Sequence, residues 1–154
     1  MDSVSVGDVM ATLGMTAGGF YRHFESKEAL AAEACGAAFA ASGLAQEPAP
    51  SAGSMLRRYL GKAHRDAPAD GCPLPALASD MARQPASVRR AYTAGVRDAL
   101  ARIEQLAPGA NAKALLASMV GALAIARAVN DEELSTAILR DTQAFWLRVL
   151  EQRS

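Results

Sequence analysis

The residues best suited to chemistry are crowded into one stretch, Ser5 to Lys27, reading SVGDVMATLGMTAGGFYRHFESK. Ser5, Thr16, Tyr21 and His23 carry hydrogen-bonding side chains there, Arg22 and Lys27 are cations, and Ala17, Gly18 and Gly19 carry almost no bulk. A glycine destabilises a helix by roughly 1 kcal/mol relative to alanine. Two adjacent glycines at a helix start therefore imply that something must come close to the backbone. The exposed N–H groups of a helix N-terminus suit a phosphate or a base edge. Thr16, Gly18 and Gly19 are the candidates nearest base edges, and Ser5 and Thr16 can offer hydroxyl or cap-region donors to phosphates. Arg22 is as well explained by a solvated side chain.

The elements that must position these residues are short helices. Val6, Val9, Met10 and Leu13 fall at i, i+3, i+4 and i+7, one apolar helix face, with Ser5 and Asp8 in a capping-box pattern. Gly14 can take the left-handed conformation that ends a helix, and Thr16 can cap the next. Phe20 and Phe24, four apart, give that second helix a buried pair. Ser26 caps a third helix, with Glu28 near the positive end of its dipole. Helix, glycine-containing turn and helix is the DNA-reading helix-turn-helix arrangement. The run LGMTAGGFYRHFESKEAL resembles the helix-turn-helix region of TetR-family transcriptional repressors. Gly14, Thr16, Gly19, Phe20, Tyr21, His23, Phe24, Lys27 and Leu30 stand at the family's types and spacing. A second stretch, GCPLPALASDMAR (Gly71 to Arg83), is similar to the regulatory domain of one branch of that family.

The resemblance implies an all-α, dimeric, ligand-responsive protein. On this reading Tyr21 and His23 contact phosphates, while Lys27 anchors the DNA backbone at the third helix. It further implies a long amphipathic helix ahead of Val6, which the chain begins too late to contain. The start then lies upstream, or the chain is a shortened homologue with impaired DNA binding. Charge points the same way: Arg22 and Lys27 stand against Asp2, Asp8, Glu25, Glu28, Glu33 and Glu47, a formal −4 for residues 1–47. Phosphate binding calls for a basic face.

Composition bounds the rest. Apolar residues make up 51% of the 154 and aromatics 5%, with zero formal net charge. This alanine-swollen balance favours helices over strands. The first residues show no signal peptide. The longest apolar run, the 13 residues Ala114 to Ala126, is too short to span a bilayer, so a cytoplasmic protein with no membrane partner is expected. Cys35 and Cys72 are too few for a disulfide framework.

Along the chain, the third helix is expected from Lys27 to about Leu44, and a loop over Gln46 to Ser54 marks the seam between residues 1–45, the DNA-binding region, and 46–154, a ligand-binding and dimerisation domain. Met55, Leu56, Tyr59, Leu60 and Ala63 mark a helix ending near His64, followed by irregular chain from Arg65 to Pro75. Leu77, Ala78 and Met81 form a brief helix. Pro85 opens a long one striped by Val88, Tyr92, Val96, Leu100, Ile103 and Leu106. Ala112 to Asn130 is the most hydrophobic helix, and an Asn130–Glu133 capping box opens the last one. Bulky groups on more than one face of these late helices imply a homodimer in which two helices from each subunit form a four-helix bundle.

The regulatory half should hold an unidentified small-molecule effector. Candidate pocket residues are Tyr59, His64, Cys72, Leu77, Met81, Tyr92, Met119 and Leu123, with Phe39, Leu60 and Leu74 around them, mostly apolar with a few polar groups. No metal-ligand spacing, cofactor motif or catalytic constellation stands out, so no metal, no cofactor and no enzyme is expected. The function implied is a ligand-responsive repressor that binds a palindromic double-stranded DNA operator as a homodimer. The alternative is a dimeric ligand-binding or interaction protein that has lost DNA binding through N-terminal truncation.

Overall fold

The computed structural model describes residues 5–42, 49–68 and 72–152. Their regular structure is all helical, as expected: α1 (Val6–Thr12), α2 (Ala17–Phe20), α3 (Lys27–Ala41), α4 (Ala52–Tyr59), α5 (Lys62–Asp66), α6 (Pro73–Met81), α7 (Ala86–Leu106), α8 (Ala112–Ala128) and α9 (Glu132–Glu151). Leu44 and Gln46 to Pro48, expected at a helix end and in a loop, lie outside the described residues, as do Asp2, Glu47 and Gly71.

Local chemistry accounts for most boundaries. The Ser5 hydroxyl accepts from the Asp8 N–H at 3.1 Å, and the Asp8 carboxylate accepts from the Ser5 N–H at 2.7 Å, a reciprocal capping box. Gly14 takes φ +66°, the left-handed conformation expected where α1 ends. Ser26 caps α3 by accepting from Ala29 N–H. Several boundaries differ from expectation, among them the stretch from Arg65 to Pro75 expected to be irregular, which is helical to Asp66 and again from Pro73. Ser51 and Ser54 form a capping box that starts α4 inside the expected loop. The helix expected to run to His64 breaks at Leu60 and Gly61 into α4 and α5. Pro85 is the residue before α7 rather than its first turn. Asp131, not Asn130, caps α9, accepting from Leu134 N–H at 3.0 Å.

The core lies between α4, α7, α8 and α9. Leu56, Ile103, Leu115, Met119 and Leu123 are fully buried within it. Helix α3 packs along α7, and α8 packs against α9. Residues Val129–Asp131 join those last two as a tight antiparallel hairpin. Among the described residues, no helix is long and apolar enough to cross a membrane.

Candidate nucleic-acid interface and internal cavity

Helices α1 and α2 pack on each other through Met10 and Phe20, both buried. Phe20 also stacks at a tilt on the half-buried Phe24, ring centroids 5.4 Å apart. Helix α2 is shorter than its Phe20–Phe24 spacing suggested: it closes at Phe20, and the His23 and Phe24 N–H groups, both donating to Phe20 C=O at 2.9 and 3.0 Å, form the turn that follows. This brings Phe24 under the head while Tyr21, Arg22 and His23 are turned out to solvent.

The residues proposed for DNA contact lie on α1, α2, the start of α3 and the segments that flank them. Tyr21 is 66% exposed, its ring held edge-on to Phe20 at 5.2 Å. Arg22, His23 and Lys27 are exposed too, with Lys27 at the first position of α3. Gly18 is exposed, and a methyl group built there would meet nothing within 4 Å. Gly19 is half-buried against Met10 and Met15. The backbone at Gly18 thus lies open, and nothing among the described residues requires a glycine there. Two of the candidates are placed differently from expectation. Thr16 precedes α2 but makes no side-chain cap bond, because that short helix closes through Gly19 N–H on Thr16 C=O. Ser5 has both its N–H and its hydroxyl committed to Asp8, which sets a carboxylate beside the donors a phosphate would need.

The acidic charge of the head is partly absorbed by its own helices. The Ser5 hydroxyl holds the Asp8 carboxyl below the usual carboxylate range. The backbone at the start of α3, and then Ser26, do the same for Glu28. Carboxylates at helix N-termini sit against the positive dipole end, so their fields reach outward less than a formal count suggests. Glu25 and Glu33 remain exposed.

A cleft of about 320 Å³, partly open to solvent, lies between α3 and α7. Gly36, Phe39 and Ala40 line it from α3, and Ala91, Ala94, Gly95 and Ala99 from α7. Cys72 and Leu74 close one end, while Asp98 and Arg102 stand one helical turn apart on α7. Phe39 lies flat over Gly95 and meets Tyr92 edge-on, centroids 5.5 Å apart.

Of the eight residues expected to line a ligand pocket, Cys72 does so; the wider group adds Phe39 and Leu74. The others are otherwise occupied. Met119 and Leu123 are fully buried in the core, and Met81 is buried on α6. Leu77 is half-buried on the same helix. Tyr92 donates its hydroxyl to Leu74 C=O at 2.9 Å. The His64 ring is used up by backbone: Nδ1 faces Tyr59 C=O at 2.8 Å, and Nε2 accepts from Cys72 N–H at 3.4 Å. These partners fix the Nδ1–H tautomer, and burial pushes the His64 pKa down. Tyr59 is 4% exposed and its hydroxyl has no hydrogen-bond partner. Burial raises its pKa strongly, and the neighbouring Cys72 thiol adds to the shift. Burial likewise pushes the Cys72 thiol up, so it is a protonated thiol at neutral pH. Sequence reasoning missed the α7 wall because alanines and glycines carry no chemical signal; the clue was Gly95 within an otherwise regular stripe.

A polar knot ties α5 to α8 and α9. Arg65, 9% exposed, donates to Asp66 at 2.7 Å, Ser135 at 2.9 Å and Glu132 at 3.0 Å. Ser135 in turn donates to Ala126 C=O at 2.7 Å, and Arg127 donates to the carbonyls of His64 and Arg65. Arg65 first, then Lys62, hold the Glu132 carboxyl down to about 2. Each of these groups is engaged within the fold, which marks the knot as architecture.

Comparison with known proteins bears on the head. The family model for bacterial regulatory proteins of the tetR family matches residues 1–34. No curated protein matches the chain. The matched residues hold α1, the Gly14 turn, α2 and the first half of α3, the unit that presents Gly18, Tyr21, His23 and Lys27 outward. That N-terminal stretch is thus similar to the DNA-binding helix-turn-helix of bacterial tetR-family regulatory proteins.

Proposed function

We propose that the chain is a TetR-family transcriptional regulator, a ligand-responsive repressor that binds a palindromic operator as a homodimer. The observation that carries the DNA-binding part is the open corner of the head. The exposed backbone at Gly18, with Tyr21, Arg22, His23 and Lys27 beside it, suits a phosphate backbone and a base edge at once. Residues up to about 45 then act as the reading head, the remainder as the regulatory and dimerisation part, in the cytoplasm where the operator is.

The homodimer is supported by the outer face of the last hairpin. Ile125 of α8 and Leu134 and Phe145 of α9 are 53%, 47% and 52% exposed, an apolar face on this hairpin. Ala117, Gly121 and Ala128 on α8 are small enough for a second hairpin to approach closely. A second copy completes a four-helix bundle and makes the interface self-complementary. Effector binding in the α3–α7 cavity would bear on α3, which follows directly from the reading helix. Two spacings of the paired heads, one matching the operator, would then shift in population by as much as the effector's preference between them.

The test is a gel-shift titration of the chain against its own upstream DNA at stated salt, beside a scrambled fragment. A specific shift is expected. The acidic balance of the head, Asp8, Glu25, Glu28 and Glu33 against Arg22 and Lys27, favours a second reading, a dimeric ligand-binding or interaction protein without DNA binding. Retardation of neither fragment would favour that reading over the first, and equal retardation of both would contradict a specific operator.

A further inference from the structure

Many cations of this chain are spent within the fold, and those on the outer face of α7 are not. Lys62 and Arg65 are tied to Glu132, Arg83 to Asp80 and Arg140 to Asp141. Arg127 is held by the carbonyls of His64 and Arg65. Arg89, Arg90 and Arg97 are exposed on α7, and among the described residues they make no ion pair or side-chain hydrogen bond. No carboxylate occurs in the sequence between Asp80 and Asp98. Unpaired positive charge on one helix face is free to meet an anionic partner.

The run of α3 and α7 fixes where this charge lies. Phe39 rests on Gly95. Cys35, one turn before Phe39, is within electrostatic reach of Tyr92, three residues before Gly95. The two helices are therefore parallel. Beyond α3 the chain keeps that direction, with Ser51, Ala52 and Gly53 beside Leu106 and Ala107 at the far end of α7. The start of α7 thus lies beside the half of α3 that adjoins the head. Counted back from the Phe39–Gly95 contact, Arg89 and Arg90 are level with Glu33 and Ala34, and Glu33 pairs with neither. At the rise of an α-helix they stand about 10 Å along the axis from Lys27, and Arg97 about 21 Å. A guanidinium on an extended stem, with a screening length of about 8 Å at physiological salt, brings Arg89 and Arg90 within range of a duplex at the head. Arg97 is left outside it.

The head itself is short of positive charge, with Arg22 and Lys27 against Asp8, Glu25, Glu28 and Glu33. Affinity for DNA grows with the number of phosphates that cations neutralise. We propose that Arg89 and Arg90, at the start of α7, form an auxiliary surface that binds the phosphate backbone of double-stranded DNA beside the segment at the head. This rests on the DNA-binding reading above, and adds that the second part of the chain supplies electrostatic affinity which the head lacks. Backbone contacts carry no sequence information, so they strengthen binding to any duplex and leave discrimination to the head.

The experiment is fluorescence anisotropy of the full chain with two labelled duplexes, its own upstream DNA and a scrambled fragment of equal length, across a salt series. Arg89→Gln with Arg90→Gln is compared with Arg97→Gln with Lys113→Gln, which removes the same charge farther from the head. All four side chains are exposed, and glutamine suits a helix about as well, so both variants should keep the wild-type Tm. The first pair should weaken both duplexes alike, about tenfold or more, and lower the slope of log K against log salt by about 2 per chain. The second pair should leave affinity and slope close to wild type. An unchanged slope in the first pair, or equal losses in the two pairs, would overturn the proposal. Loss confined to the upstream fragment would overturn it too, because that is base readout. Equal wild-type binding to both duplexes, with the loss in the first pair, supports the surface and refutes the specific operator alone. Specific binding that survives the first pair unchanged refutes the surface alone, and binding of neither duplex at low salt contradicts both.

Discussion

At Gly95 an added methyl group has nowhere to go, since a Cβ there would lie 2.3 Å from Cγ of Phe39. At Gly18 the same methyl would meet nothing. The two glycines therefore answer to different constraints, one inside the molecule and one outside it. Gly18→Ala should stabilise the fold by about 0.5–1 kcal/mol through helix propensity, yet weaken DNA binding by obstructing approach to the backbone. Denaturation and gel-shift measurements on the same variant check this pair of opposite signs. Gly95→Ala should destabilise by about 1–3 kcal/mol, because the whole Phe39 ring must move. Phe39→Ala in that background should recover part of the loss, and a double-mutant cycle reads the coupling. Lys27→Ala should weaken binding to all sequences alike and lower the salt slope by about 1. An unchanged slope removes Lys27 from the phosphate contacts.

Among the elements, the short ones depend on polar links and the long ones on packing. His64 joins α4 to the start of α6 only while neutral, with Nε2 accepting from Cys72 N–H. Burial lowers its folded pKa, so the unfolded chain binds the extra proton more readily. Stability is therefore complete above the unfolded value near 6.5 and is lost as pH falls from there toward the lowered folded value. Tm should drop between pH 7 and 5.5, and His64→Asn should flatten that drop. Ser135→Ala removes a buried hydroxyl that links Arg65 to Ala126 C=O; it should reduce stability by about 1–2 kcal/mol, read by denaturation. The sequence foretold elements where apolar spacing and caps agreed. The Ser5–Asp8 box, the Gly14 turn and the long α7 and α8 stripes are of this kind. It misled where caps compete: Ser51 and Ser54 start a helix inside a Pro, Ser and Gly stretch, and Asp131 displaces Asn130. The candidate head was legible because its glycines and polar residues are contiguous. The cavity was not, since its walls come from α3 and α7, more than fifty residues apart, and consist largely of alanine and glycine. Tyr59, Met119 and Leu123 have the sizes of pocket residues but are consumed by the core.

The whole molecule is read as a head carried on α3, a lever lying against α7, and a hairpin that recruits a second copy. Ile125→Glu with Phe145→Glu should leave the fold intact, since both side chains are solvent-facing in one copy. The double variant should run at half the wild-type mass by light scattering at micromolar concentration; an unchanged mass would move the interface elsewhere. Two heads held this way should reach successive major grooves, about 34–36 Å apart. A footprint of the chain on its own upstream DNA, at stated salt, tests this account most directly. The expected result is two protected half-sites of inverted sequence, one helical turn apart, both lost in the Ile125→Glu, Phe145→Glu variant. Uniform protection along the fragment, or none at concentrations where the dimer is formed, would contradict it.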